Sequence, residues 1–289
     1  MKKLFVIFLI QFQLVFSQKI INDFALSKVV EETSGLEVIG DSLITFNDSG
    51  GDPAIYYMSY TGEIIKKRNI INSKNKDWED ITKDNKFLYI GDFGNNLNNR
   101  KDLKIYKVPL FENIKIDNET IYFSYPEQES FKINRNTIYD AEGLISFENK
   151  LVLFTKNRAK KITEVYTLSK NAGEQKANKI NEINVGSIVT GADYNKDLEL
   201  LVLTSTINFT KYYIITINNF SLEKGKQFDF NITEIPIGKT QVESIKIIDK
   251  NTFWITSEDE SSSKSARLLK IKINDDNWNH TKSTLHNWF

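Results

Sequence analysis

Residues 140–158 read DAEGLISFENKLVLFTKNR. An acidic residue opens a short strand, a turn follows, and a more hydrophobic strand ends in a polar cluster. The same plan recurs in SGLEVIGDSLITFNDSGG (34–51), DWEDITKDNKFLYIGDFGNN (77–96), TGADYNKDLELLVLTSTIN (190–208) and QVESIKIIDKNTFWITSEDE (241–260). The recurring acids are Glu37, Glu79, Glu142, Asp193 and Glu243, spaced 42, 63, 51 and 50 residues apart. Each unit continues into one or two further strands, such as AIYYMSY and EIIKKRNI after the first. Helical periodicity is almost absent, and short alternating runs rich in Ile, Val, Tyr, Phe and Thr fill the chain. Strands this frequent mean a sandwich, a barrel or a propeller. A repeated four-strand unit of this length selects the propeller.

The chain is therefore expected to be all-β, a propeller of five blades within one domain, residues 18–289. Six blades is the alternative, because the second unit is long and residues 274–289 are unassigned. The last unit lacks a fourth strand. Residues 20–30 (IINDFALSKVV) can supply it, closing the ring with an N-terminal strand and covering a sheet edge. The aromatics of the tail, Trp278, Trp288 and Phe289, are expected to anchor it on an outer blade.

Composition narrows the chemistry. The 289 residues carry 38 basic and 38 acidic side chains, two His and no Cys. Balanced charge offers no field for nucleic acid. Without Cys there is no disulfide, no thiolate metal site and no thiol nucleophile. Both histidines, His280 and His286, lie near the end, away from the repeats. Residues 1–17, MKKLFVIFLIQFQLVFS, have the layout of a secretory signal peptide: two lysines, an apolar run and a cut ahead of Gln18. No later segment is long and apolar enough to span a bilayer. A monomer exported to the periplasm, the outer surface or the medium is expected.

Strand direction places the motifs. In a blade the first strand lies nearest the axis and the second returns beside it. First-strand starts and second-strand ends then meet at one mouth of the channel. The mouth is expected to gather Glu37, Asn47, Asp48, Asp77, Glu79, Asp80, Asp92, Asn95, Asn96, Asp140, Glu142, Lys156, Asn157, Asp193, Thr204, Glu243 and Glu258. Crowded carboxylates repel one another. Water, Lys156, Arg100 or Arg158, raised pKa values or a bound cation can relieve this. Oxygen donors without His or Cys suit a hard ion, Ca²⁺ first and Mg²⁺ or Mn²⁺ next. The expected ligands are Glu37, Asn47, Asp48, Glu79, Asp92, Glu142, Asp193 and Glu243. A small or anionic ligand would meet Asp80, Asn95, Asn96, Arg100, Asp140, Lys156, Asn157, Arg158 and Glu258. The alternative is structural: acids on inner strands can accept hydrogen bonds from a neighbouring blade's amides and lock the ring.

The order SGLE…FNDSGG, DWEDI…GDFGNN, DAEGL…LFTKN, TGADY and VES resembles exported bacterial propeller proteins of the Bacteroidetes type over residues 24–273. Through them it is similar, more distantly, to the propeller families called SdiA-regulated and esterase-like phytase. The resemblance implies calcium near the axis. It also implies metal-assisted hydrolysis of a phosphoester or lactone, with Lys156 and Arg100 or Arg158 receiving an anionic group. The absence of His from the mouth departs from the His-assisted members. Two functions follow: a binding or scaffold module around a mouth ion, or a metal-dependent hydrolase.

Overall fold

The computed structural model describes residues 18–112, 116–238, 240–258 and 265–274. Residues 1–17, both histidines and the tail aromatics lie outside the described residues. Strand β1 (Gln18–Ala25) comes first, followed by a 3-10 turn over Lys28–Val30. The first blade holds β2 (Thr33–Ile39), β3 (Ser42–Asn47), β4 (Ala54–Met58) and β5 (Ile64–Asn69). The second holds β6 (Trp78–Lys83), β7 (Phe87–Asp92), β8 (Lys104–Pro109) and β9 (Glu119–Ser124). The third holds β10 (Ala141–Phe147), β11 (Lys150–Thr155), β12 (Thr163–Ser169) and, after the short β13 (Gly173–Lys176), β14 (Asn178–Ile183). The fourth runs through β15 (Ile188–Asn195), β16 (Leu200–Ile207), β17 (Lys211–Asn218) and β18 (Phe230–Ile235). The fifth has β19 (Val242–Ile247), β20 (Thr252–Ser257) and β21 (Arg267–Ile273), with β1 as its outer strand.

The first strands touch in sequence, β2 to β6 to β10 to β15 to β19 and back to β2, so five blades close a ring. The length of the second unit is taken up by loops rather than a sixth blade. β1 pairs antiparallel with β21, from Gln18 opposite Ile273 to Ala25 opposite Arg267. The closing strand is thus Gln18–Ala25, and the expected continuation to residue 30 turns away.

Burial follows from blades stacking face to face. The second strand of each blade has neighbours on both faces, so KLVLFT of β11 and LLVLTSTI of β16 bury nearly every residue. Outer strands keep one wet face: β9 alternates buried and exposed after its start. Five apolar clusters fill the seams between blades. One packs Phe46, Ile55 and Trp78 with Ile90 and Tyr106 between the first two blades. Another packs Phe154, Val165 and Leu203 with Phe220 between the third and fourth. Each fully buried Leu, Ile or Phe contributes roughly 1.5–3 kcal/mol. With no cysteine, these seams and the sheet hydrogen bonds carry the stability.

One strand departs from the repeat. β13 leaves the third blade and pairs parallel with β9, Gly173 opposite Ile121 through Lys176 opposite Ser124. It makes the second blade five-stranded and covers its outer edge.

Candidate functional site

Each first strand has a register irregularity near the mouth. The shifts fall between Ser34 and Glu37, Trp78 and Asp80, Ala141 and Gly143, Val189 and Gly191, and Val242 and Ser244. A bulge leaves one residue outside the ladder and re-aims its side chain. In three blades that residue is Glu79, Glu142 or Glu243. The equivalent mouth-end pairs are Thr33 with Asn47, Trp78 with Asp92, Ala141 with Thr155, Val189 with Ser205 and Val242 with Ser257. In the first and fourth blades the next residue is Ser34 or Thr190. Glu37 and Asp193 stand three residues further along and do not share the mouth position.

At the mouth the carboxylates converge on Glu79. Oxygens of Asp48, Asp77 and Glu79 lie within 4.8 Å of one another, and so do oxygens of Glu79, Asp140 and Glu142. Glu79, Asp140 and Glu142 are buried. Gly94 of the GDFGNN segment permits this, because a Cβ there would collide with Oε1 of Glu79 and Oδ2 of Asp77. Three cations serve the rim. Arg100 binds Asp92 Oδ1 at 2.7 Å, Arg158 binds Asp140 Oδ2 at 2.6 Å, and Lys156 pairs with Glu142 Oε1. Among the described residues, Asp48, Asp77 and Glu79 are left with only Arg100 Nη1, at 4.0 Å from Asp77. Oδ1 of Asp48 and Oδ2 of Asp92 are buried and accept no hydrogen bond among the described residues.

The electrostatics register this crowding. Burial pushes Glu79 well above the usual carboxylate range, and Glu142 and Asp48 push it further. Burial and Asp77 raise Asp48 to about 7. Burial raises Glu142 to about 8 although Lys156 pulls it down. Asp77 and Glu243 are raised by burial as well. Burial disfavours the Lys156 ammonium, yet Glu142, Asp140, Glu79 and Glu243 hold it above its ordinary value.

The loops around the cluster are braced rather than free. Asn95 donates its N–H to Asp140 Oδ1 at 2.7 Å and its side chain to Tyr139 O at 2.9 Å. Asn96 accepts from Arg158. Arg100 also donates to Gly94 O at 2.9 Å, Asp92 O at 3.2 Å and Asp102 at 3.3 Å. Glu258 accepts from Gln241 at 2.7 Å.

Other expected site residues are placed elsewhere. Asn47 donates to Val29 O and accepts from Glu32 N, which braces the loop before β2. Asn157 donates to Glu164 and accepts from Lys160 N, which fixes the β11–β12 turn. Asp80 accepts from Ile81 N and from Leu144 N, both at 2.8 Å, and so ties β6 to β10. Asp193 accepts from Ile247 N at 2.8 Å and ties β15 to β19. Lys246 Nζ lies 2.8 Å from both Glu37 Oε1 and Asp193 Oδ1. Lys83 adds a second cation 3.3 Å from Glu37. This deeper layer is the inter-blade lock, made with its own counter-ions. Lys246 sits three residues after Glu243, the same offset that separates Glu37 from Ser34; that offset was the available signal for it. Asp77, expected at the mouth but not as a ligand, is one of the three carboxylates that converge with Asp48 and Glu79.

Two clefts among the described residues lie away from the mouth. One of about 620 Å³ opens at the opposite face beside Lys83, Lys170 and Tyr194. One of about 470 Å³ runs beside β13, along Tyr122 and Gln175. No helix among the described residues is long and apolar enough to cross a membrane.

No family model matches the chain, and no curated protein matches it. Solved structures do. A PQQ-bound aldose sugar dehydrogenase from Streptomyces coelicolor aligns with a TM-score of 0.50 at 9% identity, covering 89% of this chain and 98% of that one. An exo-β-1,3-galactanase from Phanerochaete chrysosporium, solved with β-1,3-galactotriose, gives 0.50 at 9% identity, over 86% of this chain and 64% of that one. A protein described as exported, from Bacteroides fragilis, gives 0.42 at 8% identity over 89% and 96%. At such identities the likeness shows the fold alone.

Proposed function

We propose that this chain is an exported binding propeller whose mouth holds one divalent cation, Ca²⁺ in first place. Asp48, Asp77 and Glu79 would hold the ion. The observation that carries the reading is this triad, whose oxygens lie within 4.8 Å and whose buried member Glu79 has no cation within ion-pairing range among the described residues. Three carboxylates, without nitrogen or sulfur, suit a hard ion that takes six or more oxygens. Water or an oxygen-bearing ligand would complete its shell. Export rests on the layout of residues 1–17.

The hydrolase reading needs a cation free to receive an anionic group. Arg100 uses four of its five N–H donors on Asp92, Gly94 and Asp102, while Arg158 and Lys156 are paired with Asp140 and Glu142. That favours binding over hydrolysis.

The test is metal content and melting temperature of the mature protein and of Glu79→Gln, after chelation and then with Ca²⁺, Mg²⁺ or Mn²⁺ restored. The natural protein should bind one ion. At a hundredfold excess over Kd it should gain about 2.7 kcal/mol, a gain absent from the variant. A natural protein that holds no ion and does not shift with any of the three overturns the proposal.

A further inference from the structure

We infer that the cup formed by Glu79, Asp140 and Glu142 is a second divalent-cation site, which this chain fills with a cation of its own, the ammonium of Lys156. The inference builds on the cation reading above, and it concerns the half of the mouth that reading leaves aside. Oxygens of the three carboxylates lie within 4.8 Å, and all three residues are buried. Crowded acids alone do not make a site. Two further observations point to a cation. Glu79 is 5% exposed, and its carboxylate accepts no hydrogen bond from any described residue, although it belongs to both carboxylate groups. Moreover, a tethered cation is already present: Lys156 is 8% exposed and its Nζ rests on Oε1 of Glu142.

The backbone delivers it there. Lys156 follows the last residue of β11, and its N–H is bonded to Asp140 O at 2.6 Å. The stem is thereby anchored at the cup, and the ammonium is held among carboxylates rather than in solvent. Asp140 has outside support, Oδ1 from Asn95 N at 2.7 Å and Oδ2 from Arg158 at 2.6 Å. Among the described residues, Glu142 is paired by Lys156 alone, and Glu79 feels that ammonium only at longer range.

An ammonium carries one charge and three donors. A divalent ion carries two charges and draws in every oxygen around it. One tethered charge makes the cup tolerable in the empty protein, and it repels any metal ion that approaches. The two halves of the mouth therefore differ in kind. The Asp48 side depends on the solution for its cation, whereas the Glu142 side brings its own. Removing the ammonium should convert the second half into the same kind of site as the first.

Lys156→Met keeps the apolar stem and deletes the charge. Ion content after equilibrium dialysis against Ca²⁺, and separately Mn²⁺, should rise from one per chain in the natural protein to two in the variant. Its melting temperature should fall after chelation and recover when the ion returns. The double variant Lys156→Met with Glu142→Gln removes the ammonium together with the acid it rests on; it should fold without metal and return to one ion. If the natural protein binds none and Lys156→Met binds one, the second cup stands and the Asp48 site fails. An ion count equal to that of the natural protein, with a stability loss no cation repairs, overturns the inference. So does a Lys156→Met protein that folds with none of the ions while the double variant folds.

Discussion

Asp48 and Glu142 are two of the acids through which the metal-free mouth responds to pH. Both have folded pKa values raised above the ordinary carboxylate range, to about 7 and about 8. An acid of this kind holds its proton longer folded than unfolded. Its contribution to stability is complete below the unfolded value of about 4 and is lost as pH rises through the folded one. The window therefore runs from about pH 4 to about pH 8. Glu37 is lowered, with burial opposing Lys246 and Lys83, so its contribution is lost only as pH falls through its folded value and does not offset the change above pH 5. Melting of the chelated, desalted protein should come at a lower temperature at pH 8 than at pH 5.5. The variant Asp48→Asn with Glu142→Gln should lose less over that interval. A natural protein whose metal-free melting is unchanged or higher at pH 8 would show that these two carboxylates are not held protonated.

At the scale of the strand, Asp80 shows what an inner-strand acid does when it is not at the mouth. It takes two backbone amides, one from its own strand and one from β10. Asp80→Ala leaves the buried Leu144 N–H without a partner, at a cost of about 1–3 kcal/mol. Asp80→Asn keeps one acceptor and should cost less. Chemical denaturation of both variants checks the order, and equal losses would mean the bond across the seam is not what counts. The sequence showed that such acids exist and named this lock as one of their two uses. It could not sort them. Glu37 and Glu79 both look like an acid opening an apolar strand, yet bulge register puts them at different depths. A bulge shifts facing by one residue without altering the apolar pattern, so the pattern cannot reveal it. Trp78 opposite Asp92 and Thr33 opposite Asn47 supply the missing alignment, and those pairings exist only once the strands are paired.

For the whole molecule, the fold was readable because a repeated hairpin has few ways to bury both faces of its middle strands. The closing strand was readable for the same reason: a unit short of one strand leaves an edge, and an apolar run at the other end of the chain can cover it. The long loops that lengthen the second blade carried no such constraint, and they left the count open between five and six. β13 gave no signal, since GEQK has neither alternation nor apolar weight. Deleting Gln18–Ala25 should cost on the order of 3 kcal/mol, from lost ladder bonds and apolar cover. It should also expose β21 to pairing with other chains. Melting and size-exclusion chromatography read both effects, and an unchanged, monodisperse product would show that the ring does not depend on its closing strand.

β13 also decides where the ring would tear. Among the described residues, strand pairing crosses from one blade to the next only where Gly173–Lys176 lies along Ile121–Ser124. The other junctions hold by packing and by scattered single bonds, which can give way in succession. A load that splits the ring should therefore run its fracture through one of those junctions and leave the second and third blades as one fragment, because the stitch between them must break as a unit.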